Sequence, residues 1–186
     1  MQTVPFGNLG FDVSRLGFGT MRLPIRKDEQ GMDRIDRPEA IRMLRHAIDG
    51  GVSYIDTAYG YHGGESEVLT GLALRDGYRQ RVTLTTKLPQ WLVKEAADMD
   101  RLLDEQLKRL GLPYVDFYLL HALSGEAFRR LQGLHYQEFL ARALKDGRIR
   151  HVGFSFHDSL SEFKTIVDDY DWDMAQIQFN YLDDQY

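Results

Sequence analysis

The sequence predicts an α/β fold built around a parallel sheet, and three observations lead to that class. Short runs of β-branched and apolar residues alternate with helical patterns along the chain. Most of these runs are nearly continuous in apolar residues, which is typical of strands buried on both faces. The order is strictly βα, and right-handed βα units leave two main architectures, an open doubly wound sheet or a (β/α)8 barrel.

Six runs are predicted as strands. They cover residues 16–21, 53–58, 82–87, 116–122, 151–157 and 174–181. Ahead of them, residues 3–6 and 11–13 flank a Gly7–Asn8 turn, which predicts a small hairpin that would cap the bottom of a barrel. Residues 24–38 are rich in charge and contain Gly31, so we expect a loop-like insertion after the first strand.

Five helices are predicted in the gaps. Asp36 and Glu39 are typical of a capping box at the start of the first helix, and Gly50 and Gly51 would end it. The remaining helices are predicted over residues 67–75, over residues 95–110, over residues 126–146 with a break near Gly133, and after a second capping box at Ser159 and Glu162.

Turn chemistry and length leave the choice of architecture open. The first βα turn, GFGTMRLP, is not the GxGxxG of a dinucleotide-binding doubly wound sheet. A complete eight-stranded barrel, however, needs about 250 residues, and this chain has 186.

Composition narrows the function classes. The chain has 28 acidic and 23 basic residues and a net charge of −5, which argues against a nucleic-acid backbone as the main partner. It has no cysteine, which excludes disulfides, thiolate nucleophiles and an iron–sulfur cluster held by cysteines of this chain, and which fits a cytoplasmic protein. No run approaches the roughly 18 apolar residues of a membrane helix, so no membrane partner is expected.

Four polar residues fall at the ends of three neighbouring predicted strands. The second, third and fourth predicted strands end at or near Asp56, Lys87 and His121. Tyr61 follows in the loop after the second strand. Each alone has a simpler explanation, such as a helix cap, a surface tyrosine, a solvated lysine or a core histidine. Together they favour a site, because the chemistry of a barrel sits at the carboxyl ends of its strands.

These four residue types suit carbonyl reduction. A phenol is a weak acid at neutral pH unless a cation stabilises its phenolate, and Lys87 would be that cation for Tyr61. Asp56 would hold Lys87 in place, and His121 would donate a hydrogen bond to the substrate oxygen. No protein side chain is a hydride source, so the hydride would come from a nicotinamide.

With these residues in view, the chain resembles the aldo/keto reductases. The runs YIDTAYGYHGGESE, TTK and VDFYLLHA carry the resemblance, which extends from FGNLGFDVSRLGFGTMRLP to IQFNYLDD. His62 departs from the pattern, since many members have glycine there. The resemblance implies a (β/α)8 barrel that reduces aldehydes and ketones with NADPH, sometimes NADH. It also implies that Asp56, Tyr61, Lys87 and His121 are the catalytic residues, with Tyr61 the proton donor.

The resemblance further implies a set of cofactor contacts. Gly19, Thr20 and Met21 match the first-strand loop that runs under the cofactor, and Asp56 is counted among the cofactor contacts. Ser155 and Gln176 match residues that bind the nicotinamide amide. Phe156 stands where the family pattern has an asparagine that makes a further contact with that amide.

The same resemblance predicts an incomplete barrel. The family's last two βα units have no counterpart, so we expect residues 1–186 to form an aldo/keto reductase domain that is C-terminally truncated, with about six βα units after the N-terminal hairpin. The open edge would favour self-association. The runs MRLP, YHGGESE, WLVK and FSFHDSL resemble the branch with a C-terminal ferredoxin-like iron–sulfur segment, which this cysteine-free chain would lack.

Two other functions stay open at this point. One is a metal-dependent hydrolase on the same fold, with His121, His157 and Asp158 as ligands. His157 and Asp158 fit a helix cap better, so no metal site is predicted. The other is a catalytically silent barrel fragment that binds a partner.

Overall fold

Strands and helices alternate in the computed structural model, which describes residues 1–180 and residue 182. The strands are β1 (Thr3–Pro5), β2 (Asp12–Ser14), β3 (Phe18–Gly19), β4 (Ile25–Lys27), β5 (Asp33–Ile35), β6 (Tyr54–Asp56), β7 (Thr83–Leu88), β8 (Val115–Leu123), β9 (Ile149–Phe156) and β10 (Met174–Ile177). The helices are α1 (Arg37–Asp49), α2 (Glu65–Ala73), α3 (Ala96–Leu110), α4 (Gly125–Gly133), α5 (Tyr136–Lys145) and α6 (Leu160–Val167). Short 3-10 turns occupy Tyr61–Gly64, Arg79–Arg81 and Gln90–Leu92.

Within the described residues the main sheet has six strands, in the order β10-β9-β8-β7-β6-β3, and every neighbouring pair is parallel. The hydroxyl of Tyr54 on β6 lies 3.7 Å from the sulfur of Met174 on β10, although these strands are not neighbours. The sheet therefore curls until its inner face meets itself. This architecture confirms the prediction of an incomplete (β/α)8 barrel with about six βα units.

The N-terminal hairpin lies beneath this curled sheet, as predicted. β1 and β2 pair antiparallel, with Val4 opposite Val13. Phe6 directly follows β1, and its ring packs edge-on against Phe117 of β8 with 5.1 Å between the ring centroids. Phe11 lies 5.6 Å from His151 of β9. Since both contacts are near the amino ends of their strands, the hairpin closes the bottom of the barrel and leaves the carboxyl ends open.

Several predicted elements have different limits in the structure, including the three that follow. The first predicted strand, residues 16–21, is reduced to β3, which pairs with β6. The insertion over residues 24–38 is not an irregular loop, because β4 and β5 form an antiparallel hairpin within it. Of the sixth predicted strand, residues 174–181, the structure forms only β10 among the described residues. Residue 181 of that prediction lies outside the described residues.

The helices follow their predicted signals closely. The Asp36 side chain accepts a hydrogen bond from the Glu39 backbone N–H and begins α1. The predicted break near Gly133 separates α4 from α5, with His135 in the left-handed conformation at φ 56°. Gly111, at φ 65°, ends α3. No helix in the described part of the chain is long and apolar enough to cross a membrane.

Candidate active site

The four strand-end residues meet at the open, carboxyl end of the curled sheet. Asp56 is the last residue of β6, Lys87 the next-to-last of β7, and His121 lies two residues before the end of β8. Tyr61 begins the 3-10 turn that follows β6. The Lys87 Nζ lies 3.3 Å from the Tyr61 hydroxyl oxygen. The rings of Tyr61 and His121 are edge-on at 6.0 Å.

Lys87 is at the centre of this group and is only 1% exposed. Its ammonium donates to Asp56 Oδ2 at 2.8 Å, to the backbone oxygen of Thr57 at 2.9 Å and to the Tyr61 oxygen. Its distance to Asp56 Oδ1 is 2.7 Å. An ammonium has three protons, so these three acceptors satisfy the buried cation. Burial raises the pKa of Asp56, although its attraction to Lys87 opposes that effect.

His121 is aimed into the site by an irregularity in β8. The pairing of β8 with β9 shifts register between Leu120 and Leu123, and Ala122 has a φ of 48°. The Ala122 backbone N–H donates to Ser155 Oγ at 2.7 Å, which fixes the bulge. Burial, together with Lys87 and His157, lowers the pKa of His121 to about 4. The imidazole is therefore neutral at pH 7.

The Tyr61 turn depends on three consecutive left-handed residues. His62, Gly63 and Gly64 have φ values of 51°, 65° and 92°. The departure from the family pattern at His62 has a structural use, since its Nε2 accepts a hydrogen bond from the Leu23 backbone N–H at 3.1 Å. His62 thus ties the Tyr61 turn to the loop that follows β3.

The predicted cofactor residues lie around the rim of the barrel, which is the open end formed by the carboxyl ends of the strands. Thr20 is fully buried, and both its backbone N–H and its hydroxyl donate to the backbone oxygen of Asp56, at 2.9 and 3.0 Å. Gly19 is the register partner of Asp56, and Met21 is 49% exposed beside them. Gln176 is opposite Ser155 in the pairing of β10 with β9.

Two polar atoms of this rim suit a ligand that contains an amide. The Nδ1 of His121 and the Oε1 of Gln176 are buried and have no hydrogen-bond partner in the described residues. Buried polar atoms are normally paired, so unpaired atoms on an open rim are typical of a ligand site. Gln176 and its neighbour Ser155 offer amide and hydroxyl groups, which match the donor and acceptor of a carboxamide. The residues present therefore fit the nicotinamide that the resemblance implies.

The hydrolase alternative would need a metal site that includes His121, His157 and Asp158. Among residues 1–180 and 182, no three histidine, aspartate or glutamate side chains form a group that could hold a metal ion. Asp158 accepts hydrogen bonds from the backbone N–H groups of Gly125 and Ser159, at 2.9 and 2.7 Å. Its carboxylate thus serves backbone groups at the starts of α4 and α6.

Sequence reasoning missed a buried polar group directly behind Lys87. It contains Glu67, Thr86, Gln106 and Tyr118, all fully buried. One signal was available, since Gln106 interrupts the apolar stripe of α3 between Leu103 and Leu107. Polar residues at such positions require buried partners.

Comparisons with known proteins identify relatives of this chain. The chain is 27% identical over 164 residues to a protein of Glycine max named probable aldo-keto reductase 1, covering 83% of this chain and 45% of the relative. It is 27% identical over 201 residues to the NADH-specific methylglyoxal reductase of Escherichia coli, covering 98% and 60% of the two chains. The chain thus spans about half the length of these curated relatives.

Solved structures show the same likeness. The holo form of an aldo-keto reductase from Bacillus halodurans superposes with a TM-score of 0.78 at 25% identity, covering 96% of this chain and 58% of that one. An aldo-keto reductase from Klebsiella pneumoniae in complex with NADPH has a TM-score of 0.67 at 29% identity, covering 86% and 51%. The model of the aldo/keto reductase family matches residues 15–186. This chain therefore belongs to the aldo/keto reductase family.

Proposed function

We propose that this chain reduces an aldehyde or ketone with hydride from NADPH or NADH, with Tyr61 as the proton donor. The observation that carries the proposal is the Lys87 ammonium, which contacts both Asp56 and the Tyr61 oxygen in one buried cluster. The relatives support the chemistry, since one is named as an NADH-specific methylglyoxal reductase and one was solved with NADPH.

Each residue has a distinct task in this proposal. The bound nicotinamide supplies the hydride. Tyr61 gives its phenolic proton to the carbonyl oxygen, and the Lys87 ammonium 3.3 Å away stabilises the phenolate that forms. Asp56 keeps the Lys87 ammonium oriented through both carboxylate oxygens. His121 is neutral, so it donates a hydrogen bond from one ring nitrogen and polarises the carbonyl without competing as an acid.

Residues of the same rim would hold the nicotinamide. Ser155 and Gln176 would bind its amide, while Gly19, Thr20 and Met21 would lie beneath the cofactor, with Asp56 alongside. Phe156 stands where the family pattern has an asparagine, and it cannot make that residue's contact with the nicotinamide amide. Binding of the amide would therefore depend more on Gln176. We further propose that residues 1–186 act as one NADP-dependent oxidoreductase domain in the cytoplasm, on a small carbonyl compound, with self-association through the open sheet edge.

The test is Tyr61→Phe, which removes only the phenolic oxygen and its proton. We expect carbonyl reduction to fall on the order of 10²–10⁴-fold, as for other general acids, with the nicotinamide dissociation constant nearly unchanged. Tyr78→Phe is the matched control, because the Tyr78 hydroxyl donates to Asp49 on the surface. Full turnover in Tyr61→Phe would contradict the role of Tyr61. Absence of NADPH binding and turnover in the unmodified chain would favour the silent fragment instead.

A further inference from the structure

A buried polar network lies behind β7, on the side of the sheet opposite the catalytic rim. We call it the Glu67 cluster; it contains Glu67 of α2, Thr86 of β7, Gln106 and Arg109 of α3, and Tyr118 of β8. All but Arg109 are fully buried, and the Arg109 side chain is 23% exposed. The catalytic assignment uses none of these side chains.

Glu67 organises this cluster. Its Oε1 accepts hydrogen bonds from Thr86 Oγ1 and from Gln106 Nε2, both at 2.7 Å. Its Oε2 lies 3.4 Å from an Arg109 nitrogen. The Tyr118 hydroxyl donates to Gln106 Oε1 at 2.6 Å, which fixes the orientation of the Gln106 amide. Each residue of the cluster is thus held by another.

Two contacts lead from the cluster to the backbone of Lys87 and to the segment that precedes Tyr61. Gln106 Nε2 donates to the backbone oxygen of Lys87 at 3.0 Å. Arg109 donates to the backbone oxygen of Tyr59 at 3.2 Å, and its guanidinium lies 4.0 Å above the Tyr59 ring. Tyr59 is two residues before Tyr61, so one carboxylate is connected to both sides of the Tyr61–Lys87 contact.

A charged Glu67 carboxylate buried at this place destabilises the folded chain. Burial raises the pKa of Glu67, and the hydrogen bonds from Thr86, Gln106 and Arg109 offset only part of that effect. An apolar residue would avoid this desolvation. A fully satisfied buried network does, however, fix its members in one arrangement. Proton transfer depends on distances held to a fraction of an ångström.

We propose that Glu67 is a positioning residue for Tyr61 and Lys87, because it holds the Lys87 backbone through Gln106 and the Tyr59 backbone, two residues before Tyr61, through Arg109. The role rests on the proposed carbonyl reduction, although Glu67 itself touches neither substrate nor cofactor. Its carboxylate acts from behind the strand, by limiting how far Lys87 and the Tyr61 turn can separate.

The first test compares Glu67→Gln with Glu126→Gln. The substitution keeps the shape of the side chain but removes the charge that orients Arg109. We expect kcat to fall about ten- to a hundredfold, with KM for the carbonyl and the nicotinamide dissociation constant within about twofold. Glu126 is an exposed carboxylate on α4, so Glu126→Gln should behave as the unmodified chain. A Glu67→Gln variant with unchanged kcat overturns the proposal.

A second readout needs neither cofactor nor turnover. Reductive methylation of Lys87, followed by mass spectrometry, reports how well its ammonium is held, and the exposed Lys94 and Lys108 are internal standards. We expect Lys87 to be methylated several-fold faster in Glu67→Gln than in the unmodified chain. Ile48→Val on α1 weakens the fold at a remote buried position and should leave Lys87 protected. Equal methylation of Lys87 in both variants would reduce Glu67 to a structural role and overturn the proposal.

These readouts separate the two proposals. If the unmodified chain does not reduce carbonyls, the proposed function fails, while the methylation of Lys87 still supports or overturns the positioning role. If Glu67→Gln does not fold, Arg109→Lys replaces it, because Arg109 is partly exposed and the change removes its contact with the Tyr59 oxygen. Unchanged kcat and unchanged Lys87 protection in Arg109→Lys would overturn the proposal in that case.

Discussion

Ala122 shows how a single backbone conformation orients the neighbouring His121, a residue of the candidate site. Its φ of 48° is unfavourable for a residue with a Cβ, and the contact of its N–H with Ser155 Oγ holds it there. We expect Ala122→Gly to be neutral or to raise the free energy of unfolding by up to about 1 kcal/mol. Ala122→Val should lower it by about 1–2 kcal/mol, because β-branched residues avoid this region. Urea unfolding measures both, and equal effects of the two substitutions would argue against the strain.

His121 makes stability depend on pH. An unfolded histidine titrates near 6.5, whereas burial, Lys87 and His157 lower the pKa of His121 to about 4 in the folded chain. Between these values the unfolded chain binds a proton that the folded chain does not, so stability falls as the pH drops from 6.5 to about 4. The contribution is at most about 3.5 kcal/mol.

The measurement is the free energy of unfolding of the chain and of His121→Asn at about pH 7 and about pH 4.5. The difference between the two proteins in their loss of unfolding free energy on acidification separates the contribution of His121 from those of Asp56 and Glu67. Burial raises the pKa of both carboxyls, so their contributions to stability grow as the pH falls. An identical loss on acidification in the chain and in His121→Asn would show that His121 does not cause it.

The candidate site could be predicted from sequence wherever position along a strand decides geometry. Asp56, Lys87 and His121 were identifiable because parallel strands end at a common edge. The unusual conformation of Ala122 and the contact of His62 with Leu23 could not be read in the same way, since both depend on a backbone arrangement made by distant segments. Glu67 was hidden because a glutamate near a helix start is usually a solvated residue.

At the scale of elements, α2 and α3 approach so closely that Gly71 is required. A Cβ at Gly71 would lie 2.0 Å from the backbone oxygen of Leu110. We expect Gly71→Ala to push the helices apart and to lower the free energy of unfolding by about 1–3 kcal/mol. Gly133→Ala is the control, because a Cβ at Gly133 would meet nothing within 4 Å. Thermal and urea unfolding compare the two, and a stable Gly71→Ala variant would contradict the close approach.

The helices were predictable, and the β4–β5 hairpin was not. Helix ends depend on local signals, as at Asp36 and Gly111, so a short window of sequence contains them. In the hairpin, charged residues that indicated a loop pair with each other across the two strands. Lys27 lies opposite Asp33 and pairs with it at 2.7 Å. The Asp28 carboxylate accepts hydrogen bonds from the backbone N–H groups of Gln30 and Met32, which folds the turn.

At the scale of the whole molecule, the curled sheet has two ends within the described residues, β3 and β10. Closed barrels have no strand edges, whereas an open sheet presents backbone N–H and C=O groups along its outer strands. Ile177, the last residue of β10, is 54% exposed, and Phe179 just beyond the strand is 70% exposed. Apolar side chains next to an open edge favour pairing with a second chain.

We therefore expect this chain to associate as its concentration rises, through the edge of β10. Light scattering after size-exclusion chromatography should show an average mass that increases across the micromolar range. Ile177→Lys should shift that increase to higher concentration, because a charge on an edge strand opposes pairing. Met32→Lys is the matched control, since Met32 is 50% exposed but lies in the turn between β4 and β5. A mass that stays monomeric at every concentration would contradict association through the edge. An equal shift by both lysine substitutions would assign the association to net charge instead.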